Sequence, residues 1–378
     1  MKKLFFIILI SGLALVSCSE NLQQENNSVI PETEYIQEAT SPERRIPLNF
    51  DSQRGVWIPY TQFEEIMSHK SEEDFKNIIQ HKIYDFAEKG INTVYFHVRP
   101  CGDAYYKSEI FPKGNLLDGD FDPLEIVTDT AHDYGISVHA WINPLRCQTV
   151  SEMENVPDDF IVKKWINENS DFVNTVNERY YLNPAYSETD ELICDGVREI
   201  LENYNVDGVH IDDYFYPTKE TYFDEKAFTE SDSDNLSQWR MQNCDRLVKS
   251  IYDTVKEFDS RIVFGISPQG NISANYDSQF ADVEKWAGST GYCDYIVPQI
   301  YFGFKNETCP FAETLKQWEN LVSESGVSLV IGLAEYKLGK EDVWAGETGI
   351  NEWIDNPDII NQQIQLVIQS TADGYALY

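Results

Sequence analysis

The chain has 378 residues, 42% of them hydrophobic, enough for a sizeable core in one large domain or two ordinary ones. Acidic residues outnumber basic ones 64 to 29, a formal charge of −35. A polyanionic partner would be repelled by such a surface, so nucleic acid is excluded as the expected ligand.

The first 17 residues read as a lipoprotein signal peptide. Lys2 and Lys3 form a basic start, and residues 4–16 form an apolar run too short to span a bilayer comfortably. Leu15-Val16-Ser17-Cys18 resembles a bacterial lipobox, in which Cys18 would carry the lipid. The expected location is therefore the cell membrane or envelope, with the lipid as the membrane contact. Residues 18–45 are polar and aperiodic, and read as a tether that buries too little surface to fold alone. Six cysteines follow. Cys101 and Cys147 each come after a predicted strand end, where a bridge or two buried thiols would both fit.

From residue 46 to 378, strands and helices alternate. The first strand is RGVWIPY (54–60), followed by a helix over 72–89 that stops at Gly90. The second is NTVYFHVRP (92–100), followed by a helix over 123–134 with Asp122 as N-cap and Pro123 at its first position. The third is ISVHAWINP (136–144). A long segment, 145–206, then contains a helix over 189–204 and is expected to shape a cleft, bringing Tyr181 and Asn183 to it. The fourth strand is DGVHIDDY (207–214). A helix over 235–257 leads to the fifth, RIVFGISPQ (261–269). The sixth is CDYIVPQIY (293–301) and the seventh SLVIGLAEY (328–336). A helix over 358–371 leads to the eighth, GYALY (374–378). Eight βα units predict a closed (β/α)₈ TIM barrel; no GxGxxG follows a strand, as a dinucleotide-binding open sheet would need. No eighth helix follows, so either the sequence is truncated or another segment covers that face.

In such a barrel the chemistry sits at the C-terminal ends of the strands. Asp207 and Asp294 lie at strand beginnings and are expected to serve the turns. Asp212 and Asp213 end the fourth strand. With a period of two, His210, Asp212 and Tyr214 share the inward face, while Val209 and Ile211 pack outward. Asp213 projects otherwise unless the strand breaks there. Two carboxyls at one mouth would leave one protonated as a general acid. Glu335, on the seventh strand, is the reserve carboxylate. Arg99, Asn143, Gln269, Gln299 and Tyr301 end other strands and are expected to position substrate, with Asn183 joining them from the long segment. Trp57, Trp141, Tyr214, Phe215, Tyr216 and Tyr301 are candidates to stack on sugar faces. ESDSDN (230–235) is acidic but lacks the spacing of a calcium loop, and is expected to cap the next helix. No metal and no cofactor is expected.

The runs RGVWIPY, NTVYFHVRPCGDAYYKSEIFP, HAWINPLR, YYLNPAY, DGVHIDDYFYP, FGISPQGN and YIVPQIYFG occur in this order. Together they resemble the glycoside-hydrolase-like family 10 domain, over nearly all of residues 47–378. The resemblance implies a TIM barrel in an exported bacterial protein that acts on a polysaccharide or glycan strand, with the peptidoglycan type among the family's substrates. The fourth strand also resembles the chitinase DxxDxDxE run. Asp207 and Asp212 match its first and third acids, but His210 replaces the second, and Tyr214 stands where the catalytic Glu would be. That departure argues against an ordinary chitinase mechanism and leaves Asp213 as the nearest general acid. Two other readings stay open: a non-catalytic carbohydrate-binding lipoprotein, and a scaffold lipoprotein of the envelope.

Overall fold

The computed structural model describes residues 45–378 apart from Tyr214. Cys18 and the signal peptide lie outside the described residues. The strands are β1 (Gln53–Ile58), β2 (Thr93–Arg99), β3 (Ser137–Ile142), β4 (Arg146–Thr149), β5 (Val173–Val176), β6 (Arg179–Leu182), β7 (Gly208–Ile211), β8 (Val263–Ile266), β9 (Tyr295–Ile296), β10 (Ser328–Leu333) and β11 (Gly374–Leu377). Eight of them form a closed parallel barrel in the order β1-β2-β3-β7-β8-β9-β10-β11, and β11 pairs back to β1 from Gln53↔Gly374 to Val56↔Leu377. This is the expected (β/α)₈ architecture. The long segment after β3 holds a feature with no clear period in the sequence: β4, β5 and β6 form a separate antiparallel sheet.

Helices begin where local chemistry satisfies their free N–H groups. Ser71 and Asp74 form a capping box at Glu72–Glu88, and Gly90 takes the left-handed conformation (φ 74°) just past its end. Asp122 accepts from Glu125 N–H (3.3 Å) ahead of Pro123. Asn235 accepts from Gln238 N–H (3.1 Å), so the acidic 230–235 run does cap the helix Leu236–Phe258. The helix Phe311–Val322, between β9 and β10, is one that the sequence pattern does not place.

Strand parity sorts the barrel into two environments. Val94, Phe96 and Val98 of β2 and Val209 and Ile211 of β7 face the helices, within the large apolar core. Trp57, Tyr95, Trp141 and Tyr295 face inward and form a second cluster. Rings this large fit only because glycine stands opposite. A Cβ on Gly55 would lie 2.6 Å from the Tyr95 ring, one on Gly208 2.8 Å from His139, and one on Gly265 1.9 Å from Tyr295. The buried polar atoms among them pair in sequence. Trp57 Nε1–H donates to His210 Nε2 (3.2 Å), which places the His210 proton on Nδ1, 3.1 Å from the Tyr295 hydroxyl. That hydroxyl is then free to donate to His139 Nδ1 at 2.6 Å. Burial holds both imidazoles neutral, pushing His139 down to about 4 and His210 well below the usual histidine value.

At the opposite pole, residues that open strands bind the backbone of the neighbouring strand. Asp207 accepts from Val138 N–H (2.7 Å), Leu48 N–H (2.7 Å) and His132 Nε2 (2.8 Å). Asp294 accepts from Phe264 N–H (2.7 Å), and Asp373 from Leu329 N–H (2.8 Å). Asp207 and Asp294 are thus turn residues, as their positions imply. Cys101 and Cys147 are separate buried thiols, with burial pushing them up to about 11 and about 12.

Because the Gly265 site has no room for a methyl group, Gly265→Ala is expected to overpack the interior and cost about 1–3 kcal/mol or more, lowering the thermal unfolding midpoint by several degrees. An unchanged midpoint would show that the Tyr295 ring can move aside.

Candidate active site

Above the ring layer the barrel opens into a mouth of about 190 Å³, with Trp57 and Trp141 lining it alongside Tyr60, His97, Asn143 and Arg146. Asp212, Asp213, Gln299, Tyr301 and Tyr378 complete it. A second cavity of about 520 Å³ shares Asp213, Gln299 and Tyr301 and continues the cleft past Gln269 to Lys337 and Trp344.

Asp212 reaches the mouth because it keeps the parity of His210. Regular pairing of β7 ends at Ile211, so the chain is free to turn, and Asp213 enters the same mouth. The Asp212 carboxylate is buried and accepts from Trp141 Nε1–H (3.2 Å). Trp141 is itself held by stacking on His97, with centroids 3.6 Å apart and planes 10° from parallel. Burial keeps His97 neutral, well below the usual histidine value, and its Nε2 lies 3.2 Å from Asn143 Oδ1. The Asn143 Nδ2 is buried and has no partner among the described residues, which leaves a donor for a bound ligand.

Asp213 sits in a different environment. Its oxygens accept from Gln299 Nε2 (3.3 Å) and Gln279 Nε2 (3.5 Å), with Gln269 also donating. Gln299 is fixed in turn by donating to the Ser267 carbonyl (3.0 Å). Although partly open to the cleft, the carboxyl is stripped of most of its water. That desolvation outweighs the amide hydrogen bonds and raises its pKa above the usual 3.8.

Trp141, Asn143, Asp212, Asp213, Gln299 and Tyr301 therefore meet at one mouth, with Gln269 beside them. Tyr214 lies outside the described residues. Three other expected members are elsewhere. The β2–β3 register shifts between His97 and Arg99, and Arg99 is buried away from the mouth, over the Phe111 ring (4.3 Å) and against Gly196. Asn183 is consumed by the backbone: its amide donates to the carbonyls of Asp171 (3.2 Å) and Phe223 (3.4 Å) and its oxygen accepts from Ala185 N–H (3.1 Å). Glu335 is exposed on the turn Glu335–Lys337 after β10, lining neither cavity, because that strand ends at Leu333, short of the expected Tyr336. Phe215 and Tyr216 pack in the core, Phe215 against Trp286 (5.0 Å). Tyr60, His97, Arg146, Gln279 and Tyr378 were not singled out from the sequence. For His97 a signal existed, since it shares the inward parity of Tyr95.

The same architecture recurs among known proteins. Residues 52–346 match the family described as glycosyl hydrolase-like 10. The chain belongs to that family. Among its relatives is the glycosyl hydrolase DigH of Escherichia coli (strain K12), 29% identical over 388 residues and covering 90% of this chain and 86% of that protein. The glycosyl hydrolase YngK of Bacillus subtilis (strain 168) is 29% identical over 346 residues, covering 83% of this chain and 66% of that protein. The PgaB (BpsB) glycoside hydrolase domain from Bordetella bronchiseptica shares the fold, with a TM-score of 0.59 at 13% identity over 86% of this chain and 94% of that domain. The mouth described above thus belongs to a glycoside-hydrolase-like barrel.

The raised Asp213 carboxyl yields a direct test. Desolvation favours its protonated form, so its titration midpoint is expected above 3.8, and the folded state loses stability as pH rises from 3.8 through that midpoint. Gln279→Lys would set an ammonium beside the carboxyl and move the midpoint down, readable as a shift of the Asp213 carboxyl carbon in an NMR titration. A midpoint at or below 3.8 in the parent would remove the desolvation argument.

Proposed function

We propose that this protein hydrolyses a glycosidic bond in a cell-wall or related polysaccharide. The observation that supports this most is the pair of neighbouring carboxyls in unlike surroundings: Asp212 accepting from an indole N–H, and Asp213 desolvated among amides. Two carboxyls in one low-dielectric mouth resist double ionisation, and desolvation raises Asp213 above the usual carboxylate value, which favours it as the member of the pair that carries a proton. Asp213 is then the general acid that protonates the departing sugar oxygen. Asp212 faces the positive charge that develops at the anomeric carbon, acting as nucleophile, as base towards water, or by holding an N-acetyl group of the substrate. Another carboxylate along the cleft, Asp342, is bound to Lys337 at 2.8 Å, which leaves the work to this pair. Asn143 Nδ2, Gln269, Gln299 and Tyr301 supply polar contacts that orient the sugar.

Substitution separates this reading from carbohydrate binding without turnover. On purified glycan strands, Asp213→Asn and Asp212→Asn are each expected to lower kcat/KM by at least ~100-fold, and the alkaline limb of the parent pH profile should follow Asp213. Binding without cleavage by the parent would move the protein to the carbohydrate-binding class, and neither binding nor cleavage would favour an envelope scaffold.

We also propose that the protein is exported and held to a membrane through lipid on Cys18, supported by the basic start, the short apolar run and the Leu-Val-Ser-Cys sequence. No described helix is long and apolar enough to cross a membrane. Metabolic labelling with palmitate in a bacterial host should mark the full chain but not Cys18→Ser; equal labelling of both would end the proposal.

A further inference from the structure

Two further cavities border the barrel mouth through shared wall residues. The 190 Å³ mouth joins the 520 Å³ cavity through Asp213, Gln299 and Tyr301. On its other side, Tyr60 is also a wall of a third cavity of about 620 Å³. The carboxyl pair therefore lies in the middle of the series. A site that takes only chain ends needs a wall on one side of the reacting bond; here a cavity adjoins the mouth at Asp213 and another lies across Tyr60.

Each end carries the surface a sugar needs. Trp344, at the rim of the 520 Å³ cavity, is 86% exposed, the most exposed large apolar side chain among those described. Leaving an indole in water forgoes a large burial gain, and its flat face suits the C–H face of a sugar ring. Its loop is tied to the cleft wall. Trp344 N–H donates to Asp342 Oδ1 (3.3 Å), Asp342 pairs with Lys337, and Lys337 Nζ donates to the Tyr301 carbonyl (2.8 Å). The loop that carries the indole is thus anchored before any ligand arrives. The third cavity is walled by Tyr60, Tyr105 and Phe160, with Asn115, Gln148 and Arg179 as polar groups, and its volume is that of an ordinary ligand pocket. Gln148, Phe160 and Arg179 belong to the segment that holds β4–β6, so this insertion builds one side of the chamber and the loop after β2 the other. Arg146, from β4, braces the junction by donating to Tyr60 Oη (3.3 Å).

We propose that these cavities form a two-ended trough that holds a glycan chain across the mouth, with Trp344 as the stacking platform at one end and the chamber beyond Tyr60 at the other. The proposal rests on the carbohydrate reading given above. Its consequence for hydrolysis is cleavage at internal bonds, with sugars bound on both sides of the cut.

The test uses the full chain carrying Asp213→Asn, titrated with N-acetylglucosamine oligomers from disaccharide to hexasaccharide. In parallel, the products released from long glycan strands by the parent protein are sized over time. Affinity is expected to rise with oligomer length up to the hexasaccharide. Trp344→Ala and Phe160→Ala should each cut the hexasaccharide-to-disaccharide affinity ratio by about fivefold, the scale of one aromatic contact. Early products should be long fragments. Trp344 is exposed and Phe160 only half-buried, so neither change empties the core. Length-dependent binding lost in both variants would uphold the trough even if the parent cut nothing, in which case the hydrolytic reading alone would fail. Affinity that saturates at the disaccharide, ratios untouched by both variants, or release of only mono- and disaccharides from the outset would overturn the trough while leaving hydrolysis standing. Absence of binding by any oligomer would overturn it as well.

Discussion

The filling of the barrel by large rings set against glycines is the constraint on which the site depends. Tyr95 and Tyr295 occupy space that any side chain at Gly55 or Gly265 would take, and Trp57 and Trp141 pack in the same cluster. Their polar atoms cannot reach water, so they pair in a chain from Trp57 through His210 and Tyr295 to His139. Interiors packed at this density transmit position rather than absorb it. The top of the stack is Trp141, and its indole N–H is what meets Asp212. The placement of one carboxylate is therefore set by packing several residues below it.

Electrostatics at the mouth follows from the same burial. A protein with a charge of −35 has no shortage of carboxylates, yet most of the described ones are exposed to water. Asp213 combines the exclusion of water with side-chain amide rather than cationic neighbours. Gln299 and Gln279 can hydrogen-bond either protonation state, so they hold the carboxyl in place without forcing it to ionise. Buried Asp207 shows the alternative: three donors, two of them backbone N–H groups, converge on it, and it serves as a brace between strands. Two aspartates of one strand-and-turn segment thus have opposite employment, decided by which pole of the barrel they occupy.

The long segment after β3 adds the third contribution. It does not deliver Tyr181 or Asn183 to the mouth, as its length alone suggested. Tyr181 pairs with Arg146 across β4 and β6, and Asn183 clamps backbone carbonyls. The segment instead brings Arg146 to the mouth and widens the cleft on the Tyr60 side. Function here is spread over a rigid barrel and an insertion, as expected when scaffold and recognition are separate tasks.

The sequence by itself determined the alternation of strands and helices, the polarity of the barrel and the inward face of each strand. These are local properties: a period of two, a capping residue, a glycine after a helix. They were enough to put Asp212, Asn143, Trp141, Gln299 and Tyr301 at one end. Only the tertiary structure decided which side chains share the mouth. The register shift in β2 that buries Arg99 and the early end of β7 that turns Asp213 inward arise from pairing with neighbouring strands. The tie from Trp344 through Asp342 and Lys337 to Tyr301 joins elements far apart in the chain, and the raised proton affinity of Asp213 comes from water excluded by residues up to 86 positions away. Desolvation and long-range register have no periodic trace in a sequence, because they exist only once the chain has closed on itself.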